Sequence, residues 1–142
     1  MTVNCKGRIL ALDLGAKRIG VAISDELQMT ARGVRVFTRE TTEKLLAAVR
    51  KLIEEFDAVA MVIGLPLNFD GSESAGATAA RQIADYLSDN LSIPVHLQDE
   101  RLTSRAAEDN LREQGYDWKE IKKLVDQEAA AIILRDFLTQ YF

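Results

Sequence analysis

The sequence predicts an α/β fold with a mixed five-stranded sheet flanked by helices, and three observations lead to that prediction. Three short apolar segments near the N-terminus are separated only by turns, which suits an antiparallel meander. Helical patterns separate the next two apolar segments, and such crossovers make those strands parallel to the first. The 142 residues are 47% hydrophobic and 28% charged, so we expect one globular domain spanning 1–142.

Each predicted element has a local signal. The strands are short apolar runs ended by turn residues, and the helices carry apolar residues at three- and four-residue spacing. Thr41 or Thr42 can cap the first helix. In order, we predict strands at Ile9–Asp13, Arg18–Ser24 and Val34–Phe37, a helix to about Phe56, a strand at Ala58–Ile63, a helix over about Ala75–Leu91, a strand at Pro94–Asp99, helical chain after Thr103 with a break near Gly115, and a last helix over about Asp126–Thr139.

Composition excludes several classes of protein. Cys5 and His96 are the single cysteine and histidine, which rules out an intrachain disulfide, a thiolate cluster and a multi-histidine zinc site. A metal would therefore be held mainly by oxygens, which favours Mg²⁺ or Mn²⁺. The N-terminus has no apolar signal core, and no apolar run approaches the ~20 residues of a membrane span. We therefore expect neither a secretory signal nor a membrane span.

The net charge of −4 is unevenly distributed. Residues 1–53 carry ten Lys/Arg against five Asp/Glu, whereas residues 54–100 carry one against nine. A second basic group lies at Arg101, Arg105 and Arg112. These two regions could contact phosphates, although a solvated surface explains any single one of these residues equally well.

Asp13 is the most unusual carboxylate, because it ends a buried apolar strand where aspartate is disfavoured. By strand alternation it shares a face with Ile9 and Ala11, and a bound cation would compensate its burial. The alternative is a turn aspartate that accepts N–H bonds from Gly15 and Ala16.

Two further regions supply acids. Asp99 ends the fifth strand, and Glu100 follows it on the opposite face or already in the loop. Either could reach a metal, and the alternative is a charged strand end with Thr103 capping the next helix. Asp126 has helical spacing to Ala130 and Ile133, although it could instead be an N-cap. Together, three carboxylates from distant segments could hold two metal ions ~4 Å apart and hydrolyse a phosphodiester.

Four blocks of the sequence resemble the YqgF/RuvX family of ribonuclease H-like proteins, a group of pre-ribosomal RNA nucleases and Holliday junction resolvase-like proteins. They are Leu12-Asp13-Leu14-Gly15-Ala16-Lys17-Arg18-Ile19-Gly20-Val21-Ala22-Ile23-Ser24-Asp25; Val62-Ile63-Gly64-Leu65-Pro66-Leu67-Asn68 with Asp70-Gly71; Asp99-Glu100-Arg101-Leu102-Thr103; and Asp126 with Ala129, Ala130, Ile132, Ile133 and Leu134. All four occur in register from Ile9 to about Leu138.

The resemblance implies a ribonuclease H-like sheet of order 3-2-1-4-5, a cytoplasmic bacterial protein and nuclease chemistry. The two Mg²⁺ or Mn²⁺ ions expected from the carboxylates would serve that chemistry. The resemblance assigns the catalytic and metal-binding acids to Asp13, Glu100 and Asp126. It also implies candidate substrate contacts, which are Lys17, Arg18, Asn68, Arg101 and Thr103.

One departure concerns the second acid. Resolvases of this fold carry it at the end of the fourth strand, where this chain has Gly64-Leu65-Pro66 and where the nearest acid is Asp70. Glu100 would act from the fifth strand, two strand spacings or ~9.6 Å from the strand of Asp13.

Four functions remain open at this point. The first is a metal-dependent ribonuclease, endo- or exonucleolytic, that processes the 5′ end of precursor 16S ribosomal RNA as a monomer or weak homodimer. The second is a Holliday junction resolvase, which would need a symmetric dimer to cut branched DNA. The third is a non-catalytic nucleic-acid- or protein-binding module. The fourth is an actin-like ATPase, for which 142 residues leave no second lobe.

Overall fold

A computed structural model describes residues 6–66, 75–99, 113–115 and 118–140, and for 118–127 it describes the backbone alone. The described elements alternate much as the sequence predicts. They are β1 (Arg8–Leu14), β2 (Arg18–Ser24), β3 (Ala31–Thr38), α1 (Thr42–Phe56), β4 (Ala58–Leu65), α2 (Ala75–Asn90), β5 (Val95–Asp99) and α3 (Trp118–Thr139).

The sheet has the predicted strand order, β3-β2-β1-β4-β5. β1 pairs antiparallel with β2, and β2 with β3, so the first three strands form the expected meander. β4 pairs parallel with β1, and β5 pairs parallel with β4. The carboxyl ends of β1, β4 and β5 therefore lie at one edge of the sheet, which we call the carboxyl edge.

Strand alternation divides the core into two layers. On one face, Leu10, Leu12 and Ile63 belong to a buried cluster that includes the apolar side of α1 and part of α2. On the other face, Ile9, Ala11 and Val62 pack with residues of α3. Fully buried Ile133, Leu134 and Phe137 each contribute about 1.5–3 kcal/mol to this packing. α3 therefore covers the face on which Asp13 lies.

The ends of α1 are fixed by local chemistry. The Thr41 hydroxyl accepts a hydrogen bond from the backbone N–H of Lys44 at 3.2 Å, so Thr41 is the N-cap. At the other end, Asp57 adopts a left-handed conformation with φ 54° and its N–H donates to the carbonyl of Ile53. This C-cap turns the chain directly into β4.

Three predicted boundaries are wrong, and the first is the end of β4, which lies at Leu65 rather than Ile63. β3 begins at Ala31 rather than Val34, because pairing with β2 extends it beyond its apolar run. α3 begins at Trp118, about two turns before Asp126. Asp126 is therefore inside the helix and is not its N-cap. Gly115 has φ 87°, which agrees with the predicted break, whereas the helical chain expected directly after Thr103 lies outside the described residues.

None of the helices in the described ranges is long and apolar enough to cross a membrane.

Candidate active site

Asp13 lies near the carboxyl end of β1, the central strand, and so at the carboxyl edge of the sheet. The residue is 9% exposed, although its neighbours along the strand are apolar. Burying a carboxylate this deeply requires compensating polar interactions. The burial of Asp13 is compatible with the metal site predicted for it from the sequence.

Glycine flanks Asp13 on both sides of the same sheet face. Asp13 pairs with Gly20 of β2, and the β1–β4 register, which pairs Leu12 with Ile63, puts Gly64 beside Asp13. The described glycines with positive φ are Gly7 and Gly115, so neither strand glycine is needed for a left-handed backbone. Because both lack a side chain, the space beside the Asp13 carboxylate is bounded by backbone on these two strands.

The turn after Asp13 is closed through the main chain. The N–H of Gly15 donates to the backbone carbonyl of Asp13 at 3.1 Å. A Cβ atom on Gly15 would lie 2.5 Å from the backbone oxygen of Arg18, so only glycine fits there. This turn carries exposed Lys17 and half-buried Arg18 to the same edge as Asp13.

The β4–β5 register separates Asp99 from Asp13. Leu65 pairs with Asp99, and Asp99 alternates with Val95 and Leu97, which pack on the α1–α2 face. The Asp99 side chain therefore lies on the opposite face of the sheet from Asp13. The next residue along an extended strand would lie on the Asp13 face, and that residue is Glu100, which is outside the described part of the chain.

The other predicted site residues can be placed only in part. Asp126 has a helical backbone position within α3, and its side chain is not described. Asn68, Arg101 and Thr103 lie outside the described residues. The structure therefore brings Asp13, Lys17 and Arg18 together and leaves the other assignments as predictions.

Gln98 and Arg39 also lie at this edge, and the sequence analysis missed both. Gln98 is 7% exposed and shares the Asp13 face; its Oε1 accepts a hydrogen bond from Nε2 of Gln140 at 2.9 Å. Arg39 donates to the carbonyl of Gly15 at 3.0 Å. No local signal could identify them, because each contact joins residues distant in sequence.

The donor chemistry at this edge fits a hard divalent cation in part. Asp13 supplies a buried carboxylate, and oxygen ligands are those that Mg²⁺ and Mn²⁺ prefer. Within the described ranges, no three His, Cys, Asp or Glu side chains form a metal-binding group. Further ligands would have to come from segments outside those ranges, where Glu100 lies, or from side chains that are not described, such as Asp126.

Comparison with known proteins identifies relatives along almost the whole chain. The model of the RuvX family, described as "Holliday junction resolvase", matches residues 7–140. A protein of Anaeromyxobacter sp. (strain Fw109-5), named "Putative pre-16S rRNA nuclease", is 46% identical over 131 residues, which cover 92% of this chain and 96% of that protein. A protein of Koribacter versatilis (strain Ellin345) with the same name is 42% identical over 132 residues, covering 93% and 86%.

Two solved structures share the fold at low sequence identity. The Fowlpox virus resolvase in complex with Holliday junction DNA has a TM-score of 0.58 at 12% identity, covering 95% of this chain and 99% of that one. Thermus thermophilus RuvC in complex with a Holliday junction substrate has a TM-score of 0.56 at 15% identity, covering 95% and 96%. These likenesses confirm the predicted ribonuclease H-like fold. The family match over residues 7–140 and the sequence relatives, for their part, establish that the chain belongs to the RuvX (YqgF) family.

Proposed function

We propose that this protein is a divalent-metal-dependent nuclease that hydrolyses phosphodiester bonds and processes the 5′ end of precursor 16S ribosomal RNA. The observation that carries the proposal is the burial of Asp13 near the carboxyl edge of the central strand, between two glycines. Relatives 42–46% identical to this chain carry the name "Putative pre-16S rRNA nuclease", which supports precursor 16S ribosomal RNA as the substrate. The proposal includes action in the cytoplasm, as a monomer or weak homodimer.

The proposed metal ligands are Asp13, Glu100 and Asp126. Strand parity supports Glu100, because its neighbour Asp99 lies on the other face of the sheet. The extent of α3 supports Asp126 by removing the alternative explanation for this aspartate. The helix begins at Trp118, so Asp126 is not its N-cap. Fully buried Ala129 and Ala130, about one turn further along α3, belong to the part of the helix that packs on the Asp13 face of the sheet.

The chain's own residues would divide the work of hydrolysis. Two cations, when bound by these carboxylates, would activate water and neutralise the charge that develops on the phosphodiester. The backbone of Asp13 is held because β1 is paired on both sides, which would limit the reorganisation needed when its carboxylate binds a cation. Lys17 and Arg18 follow on the adjacent turn, where they would bind the phosphate backbone together with Asn68, Arg101 and Thr103.

A cleavage assay with an isosteric variant tests the proposal. Wild-type protein with Mg²⁺ or Mn²⁺ should shorten an RNA that carries the 5′ extension of 16S ribosomal RNA, and Asp13→Asn should reduce cleavage to background. Asp85→Asn is the matched control, because this carboxylate is exposed on α2, and it should cleave like wild type. Equal cleavage by Asp13→Asn and wild type would mean that Asp13 is not catalytic.

The description of the matching family model favours a second candidate, cleavage of Holliday junctions. A four-way DNA junction should be included as a parallel substrate, and resolution by this route needs two active sites related by a two-fold axis. Preferential cutting of the junction by a dimeric species would replace the RNA proposal with this one.

A further inference from the structure

Arg39 follows β3 and is anchored to the turn that carries Lys17. Its guanidinium Nη1 donates to the carbonyl of Gly15 at 3.0 Å, and its backbone N–H donates to the carbonyl of Lys17 at 2.9 Å. The turn begins directly after β1, so Arg39 is tied to the segment that follows Asp13. The side chain is half-buried, which restricts its motion and leaves part of it accessible.

Two of the basic side chains at this turn are not neutralised by an acid of the described ranges. Neither Lys17 nor Arg39 forms an ion pair with a carboxylate there. The adjacent acid, Glu40, instead pairs with Lys44 at 2.8 Å. The basic patch at the turn of the β1–β2 hairpin consists of three side chains, Lys17, Arg18 and Arg39. It lies within residues 1–53, the region of the chain that carries excess positive charge.

A guanidinium carries five N–H donors in a planar fork. Arg39 uses one nitrogen for the Gly15 carbonyl, and its remaining donors match the geometry of phosphate oxygens. Because one contact already fixes the side chain, less conformational freedom is lost when the others bind an anion.

We propose that Arg39 binds the backbone of the nucleic acid substrate, contacting with Lys17 a phosphate that flanks the one cleaved at Asp13. This inference rests on the proposed nuclease function. It adds to that function a specific phosphate contact made by Arg39, a residue outside all four motif blocks.

The test combines a charge-removing variant with a control at the other end of the same strand. Arg39→Gln keeps an N–H donor for the Gly15 carbonyl but removes the charge, and Arg39→Lys keeps the charge. Arg32→Gln removes an exposed arginine that pairs with Ile23, near the opposite end of β3. Binding of a single-stranded precursor RNA is measured in EDTA across a KCl series, alongside KM, kcat and melting temperature.

We expect Arg39→Gln to reduce the magnitude of the negative slope of log K against log salt by about 0.7, the value for one lost contact to a single strand. KM should rise with little change in kcat, and the melting temperature should stay at the wild-type value. Arg39→Lys should restore most of the slope, and Arg32→Gln should keep the slope and KM of wild type.

A wild-type slope and KM in Arg39→Gln, while wild-type protein cleaves RNA, would overturn the Arg39 contact and leave the nuclease proposal standing. Loss of slope in Arg39→Gln without cleavage by wild type would instead support the contact and count against the nuclease. If Arg39→Gln is unstable, phenylglyoxal labelling of wild-type protein gives an independent result. RNA should protect Arg39 and leave Arg32 reactive, and equal labelling of Arg39 with and without RNA would overturn the contact.

Discussion

Gly64 lies beside Asp13 on the face of the sheet that α3 covers, and its backbone does not explain why it is glycine. It is buried near the end of β4, and its φ is not in the left-handed region. Glycine within a strand costs about 0.5–1 kcal/mol relative to alanine. We therefore attribute this glycine to the space that it leaves beside the Asp13 carboxylate.

The substitution Gly64→Ala tests this explanation. Neighbouring strands are about 4.8 Å apart, so the new methyl would lie roughly 5 Å from Cβ of Asp13. A carboxylate-bound Mg²⁺ at about 2.1 Å, with its own water or phosphate ligands, needs part of that volume. We expect cleavage to fall about tenfold or more, a barrier increase of about 1.4 kcal/mol.

The same substitution should not harm the fold. Replacing glycine by alanine in an extended conformation restricts the unfolded chain and adds about 0.4–1 kcal/mol to the free energy of unfolding. Urea unfolding and RNA cleavage are measured on the same preparations. Gly33→Ala is the control. Gly33 lies on β3, where it pairs with Ala22 of β2, and is two strands from Asp13, so this substitution should leave cleavage unchanged.

Two results would refute this reasoning. Wild-type cleavage by Gly64→Ala would show that the space beside Asp13 is not used in the reaction. A fall of more than about 1 kcal/mol in the free energy of unfolding would show that glycine is needed for packing, as in an overfilled core.

Three further predictions follow from contacts in the described residues. Thr41→Ala removes the hydroxyl that accepts from the Lys44 N–H, and chemical denaturation should show a loss of about 1 kcal/mol with cleavage unchanged. Burial lowers the pKa of His96 below its usual 6.5, so the unfolded chain binds more protons than the folded protein just below that pH. The contribution of neutral His96 to the stability of the fold should therefore be full above pH 6.5 and be lost as the pH drops. Melting curves of wild type and His96→Leu, measured across this pH range, should differ in their pH dependence. Asp99→Asn should retain metal-dependent cleavage and Glu100→Gln should lose it, and the opposite pattern would contradict the strand parity that excludes Asp99.

The elements with strong local signals could be predicted closely from the sequence. β2 has the predicted bounds, and the cap at Thr41 is confirmed, because each depends on neighbouring residues alone. The start of β3 could not be predicted, since exposed Arg32 gives no apolar pattern and becomes part of the strand through its pairing with Ile23. The start of α3 was wrong because the N-cap preference of aspartate was given to Asp126, although good helix formers such as Lys122 and Glu120 precede it.

The candidate site is predictable to the extent that it is local. Asp13 and the turn after it form one continuous segment, and a buried strand that ends in a carboxylate is visible in the sequence. Arg39 reaches the same turn only because β3 folds back on β2, so its contact with Gly15 depends on the pairing of distant residues. For its proposed role as a substrate contact, the sequence offered only the excess of basic residues in 1–53 and no motif.

Asp99 and Glu100 have the same chemistry and adjacent positions, so the sequence leaves both open as metal ligands. The register decides between their faces: β5 pairs Asp99 with Leu65, whose side chain lies in the apolar layer on the α1–α2 side. A carboxylate on that side is separated from Asp13 by the backbone of the sheet, and the two cannot share an ion. A change of one residue in register would exchange the faces of the two acids. The second acid of the proposed site is therefore determined by the pairing of β4 with β5, which explains why residue chemistry alone could not identify it.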